Sequence, residues 1–140
     1  MLQIIQPKDK PYIYKHPESK IRENSSKLEH HLAIVDTYIE LGMPQFFQIE
    51  PQWESYKPDI YCRVKHQLWC IEVQRSKVTN PRIQRKINEF VRSYQKEEHD
   101  AINLWVRSPY MWERLQAPSE VGIKIAPTWE VEAEHGYIRE

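Results

Sequence analysis

Lys57-Pro-Asp-Ile-Tyr-Cys-Arg-Val-Lys-His-Gln-Leu-Trp-Cys-Ile-Glu-Val-Gln-Arg-Ser76 reads as two short strands around a tight turn. Side chains alternate along a strand, so Asp59, Tyr61 and Arg63 share one side of the first strand. On the second strand Cys70, Glu72 and Gln74 share a side, and Trp69, Ile71 and Val73 take the other. A two-residue turn at Lys65-His66 fixes the antiparallel register and sets Asp59 opposite Glu72, and Cys62 opposite Trp69. Two carboxylates then meet at the far end of an apolar hairpin, an arrangement suited to a divalent metal.

The elements around the hairpin build outward from it. Ser26-Lys-Leu-Glu29 has capping-box spacing and predicts a helix start. Leu28, Leu32, Val35 and Ile39 follow as an apolar stripe, and Gly42 and Pro44 end the helix. Residues 46–49 predict a strand, and a polar link leads into the hairpin. Thr79-Asn-Pro-Arg82 predicts a second helix, with Asn80 as cap, Pro81 in its first turn and Ile83, Ile87, Phe90, Val91 and Tyr94 buried. Residues 101–106 predict a strand, 109–116 a short helix and 121–126 a last strand. This order defines an α/β fold with a mixed sheet flanked by helices. Residues 1–24 show no period and read as an amino-terminal arm before one domain over 25–140.

Composition narrows the function classes. The chain has 140 residues, 20 basic and 20 acidic, for a net charge of zero. Nucleic-acid binding must therefore rest on local patches. No membrane-length apolar run and no signal-peptide pattern is present, which predicts a cytoplasmic protein without a membrane partner. Cys62 and Cys70 face opposite sides of the hairpin and read as buried apolar residues rather than a disulfide or metal pair. The histidines have no zinc-ligand spacing. A glycine-rich phosphate loop and a nucleophile turn are both missing, which argues against nucleotide-driven and serine or cysteine hydrolase chemistry.

Pro58-Asp59 followed by Glu72-Val73-Gln74 resembles the core motif of the PD-(D/E)XK, or restriction-endonuclease-like, nuclease superfamily, with glutamine where lysine is usual. His30-His-Leu-Ala-Ile-Val-Asp36, the same hairpin, and Lys86-Ile87 together resemble the replication-relaxation family of plasmid and mobile-element proteins over residues 28–110. The chain departs from that family at Val35, where asparagine is common, and at Gln74, where an acid is common. Members usually carry an amino-terminal winged helix, for which this chain is too short. The resemblance implies a Mg²⁺ (or Mn²⁺) dependent deoxyribonuclease of a plasmid, phage or mobile element, or a nuclease-like DNA-binding replication module that no longer cleaves. A homodimer is the default expectation, since many such nucleases pair to reach both strands.

In the nuclease reading Asp59 and Glu72 hold the metal, with the Val73 carbonyl as a third ligand and Asp36 of the first helix assisting. Glutamine can hydrogen-bond a water but brings no charge, so Gln74 positions it and Lys86 supplies the missing cation. Glu40, Glu50 and Glu54 are further acids, and His30 could approach the site. Arg75, Lys77, Arg82, Arg85 and Lys86 would hold a DNA backbone. Blander readings stand beside these: Asp59 as a turn residue, Gln74 as a strand end, and the basic helix as a solvated face balanced by Glu89, Glu97 and Glu98. Trp105, Tyr110 and Trp112 could stack on bases, fill the core or dock a protein partner.

Overall fold

The computed structural model describes residues 18–129 and 137–138. Eight elements follow in order: α1 (Glu18–Glu40), β1 (Phe47–Ile49), β2 (Ile60–Val64), β3 (Gln67–Val73), α2 (Asn80–Gln95), β4 (Asn103–Arg107), β5 (Gly122–Ala126) and β6 (Tyr137–Ile138). The strands form one six-stranded sheet in sequence order. β1, β2 and β3 are antiparallel, β3, β4 and β5 are parallel, and β6 returns antiparallel on β5. The fold is α/β, a mixed sheet flanked by helices, as the sequence predicts.

β3 is central, so its far half is buried on both faces and reads as a nearly continuous apolar run. One face packs α2 through Ile83, Ile87 and Phe90 onto Tyr61, Cys70, Leu104 and Val106. The other packs Ile34 of α1 onto Ile60, Cys62, Ile71 and Trp105. Each fully buried aliphatic side chain contributes about 2 kcal/mol, so both layers are needed to hold a sheet this small. Both cysteines are buried and unpaired, one on each face, as the hairpin alternation requires. Burial pushes the Cys62 thiol up to about 12, which keeps it protonated and inert.

Several local expectations are corrected. Helix α1 starts at Glu18, so the Ser26–Glu29 spacing lies inside it and starts nothing. Residues 18–24 are therefore helical; the rest of the proposed arm lies outside the described residues. Ile34, Val35 and Thr37 are deeply buried side chains of α1, while Ile39 is 45% exposed. Thr79, not Asn80, occupies the cap position of α2, without a side-chain capping bond, and the Asn80 amide donates to the Glu113 carbonyl.

The predicted helix at 109–116 is an irregular crossover. Trp112 is buried with its indole N–H on the Val78 carbonyl, and Arg114 adopts a left-handed φ of 61°. That φ is incompatible with continuing a right-handed helix. Trp105 and Trp112 are both interior, whereas Tyr110 is 39% exposed.

The hairpin turn forms as predicted, with φ of 51° at Lys65 and 71° at His66. Both values belong to a type I′ turn, which favours Asn-Gly, and neither native residue adopts them without strain. Replacing Lys65-His66 by Asn-Gly should raise unfolding stability by about 1 kcal/mol in urea titration. A loss of stability would show that the turn does not set the register.

Candidate functional site

The β2–β3 register pairs Ile60 with Ile71, and one step outward sets Asp59 opposite Glu72. The β1–β2 ladder extends the same way, with the Glu50 amide donating to the Asp59 carbonyl at 2.8 Å. Glu50, Asp59 and Glu72 thus form one row of carboxylates across three adjacent strand ends. Like charges so placed repel one another. The two helices supply the counter-groups, one on each side of the sheet.

On the α1 side, His30 Nε2 lies 3.1 Å from Asp59 Oδ1, an ion pair whenever the imidazole carries both protons. Asp59 Oδ2 accepts the Val73 backbone N–H at 2.7 Å. Asp59 has left the regular ladder of β2, so strand alternation no longer fixes its side chain, and it turns toward α1. Glu50 has φ of 53°, which swings it out of the β1 alternation as well. One ligand atom each from His30, Glu50 and Asp59 lies within 4.8 Å of the other two.

Glu72 keeps the strand alternation and faces α2. It is 3% exposed, with the Tyr56 hydroxyl donating at 2.5 Å and Lys86 Nζ at 3.6 Å. Burial, then the negative charge of Asp59, push its carboxyl up to about 7; Lys86 and the Tyr56 hydroxyl oppose the shift. Burial, reinforced by Glu72, holds the Tyr56 hydroxyl well above its usual value, so it remains a proton donor. Glu72 therefore lies beside Lys86 and stands outside the His30–Glu50–Asp59 group.

The other sequence candidates are spread more widely. The Gln74 amide donates to the Ser76 carbonyl at 2.9 Å, while its side chain lines a cleft of about 660 Å³ with His30, Glu50 and Arg75. Asp36 is exposed and lines a separate cavity of about 150 Å³ with Gln74 and Arg107. Glu40 is engaged elsewhere, pairing with Arg107 at 2.8 Å and accepting the Trp129 amide. Glu54 is exposed and takes no part in this cluster.

Among the basic residues, Arg75 pairs with Glu29 at 2.6 Å, and Lys77 donates to the Met111 carbonyl. Arg82 and Arg85 are exposed with no side-chain partner among the described residues. They sit in the first turns of α2, which hold no acid. Cations there oppose the helix dipole, typically by 0.3–1 kcal/mol each, which helix stability alone does not favour. Tyr56 was missed from sequence: a lone tyrosine in a polar link carries no signal of its own.

Two carboxylates and an imidazole within mutual reach fit a hard or borderline divalent ion, and the nitrogen favours Mn²⁺ somewhat over Mg²⁺. The architecture is that of an α/β domain with an acidic strand-end site set between two helices. Residues 2–104 match the replication-relaxation family, and the chain belongs to that family. Membership associates it with plasmid or mobile-element replication. No curated protein and no solved structure matches the chain. No helix among the described residues is long and apolar enough to cross a membrane.

Glu72 makes stability depend on pH. Between the ordinary carboxyl value of 4.5 and about 7, the folded chain keeps a proton that the unfolded chain releases. Stability therefore falls as pH rises through this window. Glu72→Gln removes that dependence, so the variant should gain on wild type by up to about 3 kcal/mol between pH 4.5 and 8 in urea unfolding. A constant difference across that range would contradict the buried, proton-holding carboxyl.

Proposed function

We propose that this replication-relaxation protein is a metal-dependent phosphodiester hydrolase of the PD-(D/E)XK class that acts on DNA. The observation that carries this reading is Lys86 Nζ at 3.6 Å from Glu72, which brings a cation from α2 to a motif whose own lysine position holds Gln74. A divalent ion held by Asp59 with His30 and Glu50 would relieve charge on the phosphoryl oxygens and lower the pKa of a bound water. Glu72 positions Lys86, and Lys86 offsets phosphate charge as the backbone approaches. Gln74 offers a neutral hydrogen bond to the attacking water once its amide leaves Ser76. Arg82 and Arg85 hold the backbone outside the site, which accounts for unpaired cations at the start of α2.

A second reading is a nuclease-like DNA-binding replication module that no longer cleaves. It is favoured by the Glu72 oxygens, already engaged by Tyr56 and Lys86, and by the Gln74 amide folded onto Ser76. In either reading a second copy of the chain would serve to reach both strands.

Plasmid nicking in Mg²⁺ or Mn²⁺ tests the proposal. Wild type should cleave, Asp59→Ala should lose on the order of 10²-fold, and Lys86→Ala at least about tenfold. Gln74→Lys should restore cleavage to Lys86→Ala, because it returns the charge to the motif. Cleavage that survives Asp59→Ala would overturn the site. Salt-sensitive DNA binding with no cleavage by wild type would establish the second reading instead.

A further inference from the structure

The outer face of α2 and the 108–121 crossover enclose a cleft of about 710 Å³ that shares no lining residue with the one beside Asp59. Its two walls are latched together. Gln84 Nε2 donates to the Gln116 carbonyl at 2.8 Å, and Gln84 Oε1 accepts the Gln116 amide at 2.9 Å. Asn80 adds a third tie, to the Glu113 carbonyl. The crossover wall is therefore preorganised although it contains no regular element.

The lining mixes amide and guanidinium groups with Val91, Ala117 and Pro118, and carries no carboxylate and no aromatic ring. Arg92 rises from the helix and Arg114 from the crossover, and neither guanidinium has a side-chain partner among the described residues. Arg114 reaches this position at φ 61°, a left-handed conformation that a non-glycine residue holds only when its surroundings impose it. On the helix, Arg85, Asn88, Arg92 and Gln95 are all exposed and recur at spacings of three, four and three, which places them on one line. That line runs about 15 Å and begins beside Arg82.

Two unpaired guanidiniums with amides between them match the oxygens of a nucleic-acid backbone, which arginine, asparagine and glutamine side chains contact in common. Unpaired bases need aromatic platforms, and the cleft has none. We infer that this cleft binds the phosphate backbone of double-stranded DNA through Arg92 and Arg114, extending the track that Arg82 and Arg85 begin. The inference rests on the DNA-acting part of the reading above and does not require cleavage.

The test is fluorescence anisotropy of the full chain with a short labelled duplex, in EDTA, over a series of salt concentrations. Arg92→Gln/Arg114→Gln should weaken binding at least about tenfold near 0.1 M salt. It should also flatten the plot of log affinity against log salt by roughly 0.9 for each of the two phosphates released. Arg92→Lys/Arg114→Lys should keep the wild-type slope, and Arg63→Gln, on the hairpin, should change neither quantity. Wild-type affinity and slope in the double glutamine variant would overturn the inference. So would binding confined to single strands, or displacement of the duplex by poly-glutamate at equal charge.

Asp59→Ala separates this claim from the site assignment. Loss of cleavage in that variant and loss of duplex binding in EDTA in the arginine variants report on different surfaces.

Discussion

A carboxylate buried at 3% exposure near the end of the central strand is the constraint around which the rest is arranged. An ionised group placed there without partners would cost several kcal/mol. Glu72 is offset by a tyrosine hydroxyl and an ammonium from α2, while its neighbour in the row, Asp59, is offset by an imidazole from α1. Both helices are thereby tied by polar contacts at the same end of the sheet, α1 also through Glu40 and Thr37 to Arg107 of β4. Packing sets which face each helix buries, and these contacts fix where along the sheet each helix sits. The acids consequently carry an architectural cost and an architectural role together.

The same arrangement separates charge. The acidic row lies at the ends of β1, β2 and β3, and unpaired cations including Arg82, Arg85 and Arg92 lie on the outer side of α2, with Lys86 turned inward between them. Among the described residues the row of acids and a stripe of cations on α2 thus occupy different surfaces. A phosphate backbone would be drawn to the stripe by ordinary electrostatics, whereas its approach to the acids needs a cation at the pocket. Lys86 is one such cation, and a divalent ion at Asp59 would be the other.

Much of this was legible in the sequence where one local rule dominates. Alternation and a two-residue turn dictate a single hairpin register, so the Cys62–Trp69 pairing and the opposite faces of the two cysteines follow from spacing. The helical period places Ile83, Ile87 and Phe90 inward for the same reason. Where long-range contacts decide, spacing misleads. The helical look of 109–116 loses to the burial of Trp112 and to the ties between the crossover and α2. The Ser26–Glu29 pattern recurs inside a longer helix, where its groups have no free amides to satisfy. Register sets Asp59 opposite Glu72, yet its side chain turns to α1 because the ladder ends beside it. Tyr56, as much a partner of Glu72 as Lys86 is, belongs to a link with no period at all.

Binding of Mn²⁺ to the full chain, followed by the electron paramagnetic resonance of the free ion, tests the central claim most directly because it does not depend on turnover. One saturable site is expected in wild type, lost in Asp59→Ala, weakened in His30→Ala and in Glu50→Gln, and kept in Arg92→Gln/Arg114→Gln. No saturable site in wild type, or one that Asp59→Ala leaves intact, would contradict that claim.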